Sequence, residues 1–303
     1  MSISSAFIRI GYFAVAVLTV FLAVETTNAG VLVAAHRGDS SAAPENTLAS
    51  IISAEGSADL TEMDVRETND GELVLMHDGA VNRTTDGRGG IRRKTLAEVQ
   101  SLDAGSWFSD DFAGEPVPTL EQAMMTALTL GIEPLVERKA GSAETYHNTL
   151  TGLELAPSEF RVISFSQRFI SDLDALNPEY QLGVLGSGAI TQARLNRLAA
   201  KGADFISWRH NSIRNAAQVD LVHASGMELH VWTVNDESRM EELIDLGVDG
   251  ITTDYPHLLN SLLPQSALAA VVPEPPGNVI SLLLAAGLLF RRPKADSSRD
   301  YCA

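Results

Sequence analysis

One stretch of the chain, LTEMDVR at residues 60–66, has the pattern of a buried β-strand that carries acidic side chains. Side chains two positions apart on a strand point to the same side, so Glu62 and Asp64 share one face. An isolated pair of this kind is most often a salt-bridge partner. Its meaning therefore depends on the strands that surround it.

Short β-branched runs alternate with amphipathic, Ala- and Leu-rich stretches from Val31 to about Leu262. This alternation is typical of βα units around a parallel sheet. Eight runs fit strands: Val31–His36, Leu60–Arg66, Ile132–Lys139, Arg161–Phe165, Gln181–Leu185, Asp204–Ser207, Glu228–Thr233 and Asp249–Thr253. Eight strands favour a closed TIM barrel, the (β/α)8 form of the α/β class, which commonly uses roughly 250 residues as one domain.

A segment after the second strand, at about residues 79–115, interrupts the alternation of predicted strands and helices. It carries glycine-rich turns at Gly87, Gly89 and Gly90, and a short helical pattern near Leu96–Leu102. It directly follows a His77-Asp78 pair. The sequence therefore predicts a small insertion beside the functional site.

Chemically active side chains gather at the predicted carboxyl ends of the strands, where barrel enzymes place their catalytic groups. Two imidazoles, three carboxylates and two cations are found there: His36, Arg37, Glu62, Asp64, His77, Glu137 and Lys139. Three carboxylates in one place repel each other unless a cation lies between them, and oxygen ligands suit Mg2+ or Ca2+. Because Arg and Lys bind phosphate, the set indicates metal-assisted phosphoryl chemistry.

Longer motifs extend this set and span nearly the whole predicted barrel. The motifs are His36-Arg37-Gly38, Pro44-Glu45-Asn46-Thr47, Glu62-Met63-Asp64-Val65, His77-Asp78, Arg83-Thr84-Thr85, Leu102–Phe108, Pro118-Thr119-Leu120, Glu137-Arg138-Lys139, Ser164-Phe165, Trp232-Thr233-Val234-Asn235 and Thr253-Asp254-Tyr255-Pro256. Together, and in this order, they resemble the glycerophosphodiester phosphodiesterase family.

The resemblance implies a role for each residue of the set and hydrolysis of a small glycerophosphodiester. It implies that Glu62, Asp64 and Glu137 hold a divalent metal, Mg2+ or Ca2+, and that His36 and His77 act as general acid and base. It further implies that Arg37 and Lys139 bind the phosphate, and that the insertion helps to enclose the glycerol. Trp232 fits either a wall for the glycerol or a packing aromatic, and Asp254 is interpreted as structural.

Two short segments are less informative than the rest of the pattern. The segment Pro44–Thr47 is explained by a turn proline followed by a helix cap at Asn46 or Thr47. Arg138 stands between two site residues of its strand, where the family usually has an apolar residue. A side chain there points away from the mouth, so this departure concerns packing more than catalysis.

Two other functions compete with glycerophosphodiester hydrolysis. A phospholipase D-like lyase on the same barrel would share the histidines and carboxylates, but the insertion matches the hydrolase family. A non-catalytic, surface-displayed binding protein would be marked by the loss of a catalytic residue, and none is lost.

The first 29 residues have the order of a secretory signal peptide. A cation at Arg9 precedes an apolar run from about Ile10 to Val24, and small or polar residues end at Ala29. The run has about 15 residues, against the roughly 20 that span a bilayer. Cleavage after Ala29 and export are therefore expected, and a retained anchor is the alternative.

Residues 263–303 contain a second pattern that is typical of a targeting signal. Pro273-Glu274-Pro275 precedes an apolar run, Val279 to Phe290, and then Arg291-Arg292. This order resembles the PEP-CTERM sorting signal of Gram-negative bacteria. The resemblance implies transient membrane contact, processing by an exosortase, and a periplasmic, cell-surface or extracellular location. An ordinary apolar tail is the alternative, since the chain continues past the arginines.

Composition excludes some classes of partner and site. The formal charge of -17 disfavours nucleic acid, because binding to phosphates depends on clustered Lys and Arg. Cys302 is the single cysteine of the chain. An intramolecular disulfide and a cysteine-based zinc site are therefore excluded.

Overall fold

The computed structural model describes residues 30–264, and within them the predicted barrel is confirmed. The predicted signal peptide, at residues 1–29, and the predicted sorting signal, in the tail beyond residue 264, lie outside the described residues. Eight parallel strands and one hairpin strand, β3, form the sheet: β1 (Leu32–His36), β2 (Leu60–Glu67), β3 (Leu73–Leu75), β4 (Glu133–Arg138), β5 (Arg161–Ser164), β6 (Gln181–Gly186), β7 (Phe205–Arg209), β8 (Glu228–Trp232) and β9 (Gly250–Thr253).

Pairing of β1 with both β2 and β9 closes the barrel. His36 is in register with Glu62 of β2, and Asp64 of β2 is in register with Glu137 of β4. β3 pairs antiparallel with β2 and belongs to the hairpin that leads to His77. The register alone therefore brings the carboxyl ends of β1, β2 and β4, with their site residues, to one level.

Nine α-helices are present among residues 30–264. They are α1 (Leu48–Ser53), α2 (Leu96–Gln100), α3 (Leu120–Thr129), α4 (Ala143–Gly152), α5 (Gln167–Leu176), α6 (Gln192–Ala199), α7 (Ala216–His223), α8 (Glu237–Leu246) and α9 (Pro256–Leu262). The first eight begin after a Thr, Ser, Asn or Asp whose side chain accepts a backbone N–H of the first turn. None of these helices is long and apolar enough to cross a membrane.

The barrel interior is filled by side chains of uneven size. Ala34, Leu60, Leu135, Ile163 and Leu185 form one buried cluster together with Phe205. The glycines Gly183 of β6 and Gly250 of β9 make room for large neighbours. A Cβ at Gly183 would lie 2.3 Å from the Phe205 ring, and one at Gly250 would lie 2.4 Å from Nδ1 of His230.

The insertion has its own small core. Val81, Ile91 and Val99 are fully buried with Val74 of β3, and the predicted helix is confirmed as α2. Arg83, at the start of the insertion, bonds to Glu45 through both terminal nitrogens and to Asp78 through Nε, over 2.7–2.8 Å. The insertion is thereby attached to the rim of the barrel.

Candidate active site

A pocket of about 230 Å³ opens at the carboxyl ends of the strands. Seven of the eight residues predicted from the sequence line it: His36, Arg37, Glu62, His77, Glu137, Lys139 and Trp232. The eighth, Asp64, is 1 % exposed and lies beside them, in contact with Arg37 and Lys139. The structure therefore brings the whole predicted set together.

The acidic centre consists of Glu62, Asp64 and Glu137. One oxygen of each carboxylate lies within 4.8 Å of the other two. Oε1 of Glu62 is buried without a donor among residues 30–264, whereas Oδ1 of Asp64 and Oε1 of Glu137 contact the Lys139 ammonium, at 3.0 and 2.7 Å. Buried oxygens without donors are costly, so the donor set fits a hard divalent cation bound among them.

Charge repulsion in this centre appears in the pKa values. Burial, together with the nearby Asp64 and Glu137, raises the pKa of Glu62 well above its usual range. Burial and the nearby Asp64 raise the pKa of Glu137 to about 7. Burial opposes ionisation of Asp64 too, but Lys139 and Arg37 outweigh it and lower the pKa of Asp64. The protein's own cations therefore compensate the three carboxylates only in part.

Two cations border the acidic centre. The Lys139 ammonium lies 2.7 Å from Glu137 and 3.0 Å from Asp64. Arg37 lies 3.1 Å from Asp64 through Nε, and its Nη1 donates to Glu45 over 2.9 Å. Its backbone is left-handed, with φ of 61°, and its backbone N–H donates to Glu62 over 3.0 Å. The strained turn is thus held by the acidic centre itself.

The two predicted catalytic histidines, His36 and His77, each contact a carboxylate through Nδ1. His36 lies 2.5 Å from Asp254 and His77 lies 2.8 Å from Asp78. Since Nδ1 is engaged in both rings, Nε2 is the nitrogen left for the pocket. Burial lowers the pKa of His77.

Apolar groups line the inner wall of the pocket. Trp232 packs edge to face against Phe165 at 5.6 Å between ring centres, and its indole N–H donates to the Ser207 carbonyl over 2.9 Å. Trp232 therefore packs and lines the pocket at once. Of the insertion, Trp107 lines a neighbouring pocket with His36 and Tyr255.

Sequence reasoning missed three contributors. Asp254, interpreted as structural, is the partner of His36, and Glu45 pairs with Arg37 and Arg83. Thr47 caps α1 as predicted, but Asn46 instead exchanges two hydrogen bonds with Asp64, over 2.9 and 3.0 Å. The His-Asp dipeptide at positions 77–78 indicated one carboxylate partner, whereas Glu45 lies in a turn eight residues after Arg37 and Asp254 lies 218 residues after His36.

Fold and site together define a (β/α)8-barrel enzyme with an acidic centre and two paired histidines at its mouth. Residues 36–258 match the model of the glycerophosphoryl diester phosphodiesterase family. The chain belongs to this family, and it is a phosphoric diester hydrolase that acts on glycerophosphodiesters.

Individual relatives agree with this assignment. A glycerophosphodiester phosphodiesterase of Caldanaerobacter subterraneus is 36 % identical over 239 residues, which cover 77 % of this chain and 97 % of the relative. An Oleispira antarctica phosphodiesterase, solved in complex with the product sn-glycerol-3-phosphate, is 33 % identical with a TM-score of 0.70, covering 76 % of this chain and 95 % of that one. A glycerophosphodiester phosphodiesterase of Agrobacterium tumefaciens has a TM-score of 0.69 at 28 % identity, covering 77 % of this chain and all of that one.

Proposed function

We propose that this enzyme hydrolyses glycerophosphodiesters to sn-glycerol 3-phosphate and an alcohol with a divalent metal and a pair of histidines. The observation that carries the proposal is the acidic centre, where oxygens of three buried carboxylates lie within 4.8 Å of one another beside Arg37 and Lys139. The product complex of the Oleispira relative supports the same product for this chain.

Glu62, Asp64 and Glu137 would hold the metal, Mg2+ or Ca2+. Three carboxylates against Arg37 and Lys139 leave one unit of negative charge, and a divalent cation turns this into one unit of positive charge. That value matches a phosphodiester monoanion. When bound, the metal supplies positive charge that stabilises the phosphoryl oxygens.

Arg37 and Lys139 bind the phosphoryl oxygens in this proposal, since both line the pocket beside the acidic centre. Trp232 and Phe165 supply an apolar wall for the carbon side of the glycerol. The substrate is thereby oriented with its phosphorus between the two histidines.

His36 and His77 exchange protons through their Nε2 atoms. The glycerol 2-hydroxyl attacks phosphorus, one histidine takes its proton, and the other protonates the alkoxide as the bond to the alcohol breaks. A five-membered cyclic phosphate results. Water then opens this ring with the two histidines in exchanged roles, which gives glycerol 3-phosphate. Internal attack saves several kcal/mol of the entropy that capture of a separate water would cost.

Turnover of a panel of glycerophosphodiesters, with and without a chelator, tests the function. We expect activity to disappear with the chelator and to return with Mg2+ or Ca2+. Glu62→Ala removes metal binding measured by calorimetry, whereas His77→Ala keeps metal binding and loses turnover. Full activity of the metal-free enzyme, or turnover by the His77 variant, contradicts the assignment.

A 2-deoxy substrate analogue tests the cyclic route. It lacks the internal nucleophile, so we expect hydrolysis at least about a hundredfold slower, which corresponds to roughly 3 kcal/mol. Equal rates for the analogue and for glycerophosphocholine would instead require water as the first nucleophile.

We also propose that the enzyme is exported, with transient membrane contact during export and sorting. Support comes from the sequence patterns at residues 1–29 and 263–303. Mass spectrometry of the native protein should find a chain that begins near Gly30 and, in a host with an exosortase, lacks the tail beyond Pro275. A native chain that carries both Arg9 and Cys302 excludes both signals.

A further inference from the structure

Arg138, the residue that departs from the family pattern, lies at the end of β4 beside the active site. Its Nε and Nη2 both donate to the Gly141 carbonyl, over 3.0 and 2.8 Å, and its guanidinium packs over the Phe169 ring at 5.1 Å. The guanidinium is thereby fixed in place, and its Nη1 makes no hydrogen bond within residues 30–264.

Arg66, on β2, is held in the same way. Its Nε and Nη2 donate to the His77 carbonyl over 2.9 and 2.7 Å. Its Nη1 likewise has no hydrogen-bond partner in the described part of the chain. Two guanidinium groups are thus each held by two of their nitrogens, with the third nitrogen available.

Both groups line one pocket, which Arg92 of the insertion completes. We call this the basic pocket; its other lining residues are Glu67, Lys139, Ala140, Gly141 and Ser142. Gly141 has φ of 110°, and a Cβ there would lie 2.9 Å from the Tyr146 ring. Position 141 therefore favours glycine, so only backbone atoms line the basic pocket there.

Positive charge in the basic pocket is poorly compensated. None of its three arginines forms an ion pair with a carboxylate of residues 30–264. Glu67, the single acidic residue of the lining, accepts a hydrogen bond from Thr145 over 3.1 Å. Burial lowers the pKa of Arg66, whereas in Arg37 the carboxylates of Asp64 and Glu45 outweigh burial and raise the pKa.

The basic pocket adjoins the catalytic one. Lys139 lines both pockets, and Arg66 holds the backbone of His77. The function proposed above places the glycerol against Trp232 and leaves the rim, where Lys139 joins the two pockets, for the alcohol. In the other neighbouring pocket, which Trp107 and Tyr255 line, the carboxylates Glu45 and Asp254 are already paired with Arg83 and His36.

We propose that the basic pocket binds a second anionic group, a phosphate carried by the alcohol part of the substrate. The preferred substrates are then glycerophosphodiesters with an anionic alcohol. Fixed guanidinium groups with free N–H donors suit a phosphate, which accepts several charge-assisted hydrogen bonds. This inference rests on the function proposed above.

A matched pair of substrates tests it: glycerophosphoglycerol, and the same diester with a phosphate on the far hydroxyl of the leaving glycerol. We expect the wild-type KM to be at least about tenfold lower for the phosphorylated diester, a factor of about 1.4 kcal/mol. Arg138→Leu and Arg92→Leu should each lower this preference about tenfold. Arg92 lies outside the barrel strands, so its variant is independent of any effect on β4.

Arg168→Leu is the control. Arg168 is exposed on α5 and lies outside both pockets, so its replacement should leave the preference unchanged. Equal KM values for the two diesters in the wild type, or a preference for glycerophosphocholine, overturn the inference while leaving hydrolysis intact. If neither diester is turned over, the proposed function is refuted, and the inference is refuted with it.

Inorganic phosphate distinguishes a substrate subsite from a separate anion site. If the basic pocket serves the substrate, phosphate should compete with the phosphorylated diester, and this competition should weaken in Arg138→Leu. A non-competitive effect of phosphate that Arg138→Leu abolishes would mean a separate anion site, and it would overturn the substrate assignment.

Discussion

Asp254 shows how much of the site depends on one residue at a strand end. Its carboxylate accepts from Asn235 over 2.6 Å and from Ser40 over 3.2 Å, besides its contact with His36. These two hydrogen bonds fix the orientation of the carboxylate that contacts the imidazole. In the mechanism proposed above, Asp254 would be a positioning residue that keeps the proton on Nδ1 of His36 and leaves Nε2 for the substrate.

Asp254→Asn should lower kcat about a hundredfold and change KM little, because the amide keeps the shape but no longer orients the ring as a carboxylate does. Steady-state kinetics measures both constants. In a His36→Ala background the same change should have almost no further effect, since the two residues act as a unit. Additive losses in the double variant would mean that Asp254 acts on its own.

The site residues that were predicted from the sequence lie on strands or within two positions of a strand end. Glu62 and Asp64 share a face through the two-residue period, and the register of parallel strands adds Glu137. Loop contacts have no such period. Asn46 bonds to Asp64 from a left-handed position in a turn, and nothing in the local sequence indicates that partner.

At the scale of elements, all eight barrel strands lie within two residues of their predicted bounds. Strands that are covered on both faces are continuous apolar runs, and these are easily recognised. The layers inside the barrel could not be predicted, because they depend on which strands meet. Gly183 and Phe205 are partners across β6 and β7, although they are 22 positions apart in sequence.

Gly183→Ala should destabilise the barrel by about 2–3 kcal/mol, because the added methyl group would lie 2.3 Å from the Phe205 ring in a closely packed interior. Urea denaturation measures the free energy of unfolding. Gly152→Ala is the matched control: it ends α4 with nothing within 4 Å of the new Cβ, so stability should be unchanged or slightly higher. Equal stability of both variants would show that β6 moves to accommodate the methyl group.

Over the whole molecule, the two ends of the barrel contain different kinds of charge cluster. At the carboxyl ends of the strands, three buried carboxylates are only partly compensated by Arg37 and Lys139, which suits the binding of a cation. At the amino ends, Arg161 of β5 donates to Glu133 of β4 over 3.0 Å and to Glu228 of β8 over 2.6 Å. His230, 1 % exposed, lies 3.0 Å from the same Glu228 carboxylate. This second cluster joins strands from across the barrel, and it therefore contributes to stability.

Glu228→Gln should make the stability of the barrel less dependent on acid. The hydrogen bond from His230, together with Arg161 and against the effect of burial, lowers the pKa of Glu228 to about 2. A lowered pKa in the folded state means that the ionised carboxylate stabilises the fold fully above about pH 4.5, and that this contribution is lost as the pH falls towards 2. Since the side chain is 47 % exposed, we expect about 1 kcal/mol. Denaturation from pH 7 to pH 2 should show the variant weaker at neutral pH and equal in acid. Glu179→Gln is an exposed control without an ion pair among residues 30–264, and its free energy of unfolding should differ from that of the wild type by the same amount at every pH. A difference that is equally independent of pH for Glu228→Gln would exclude this role.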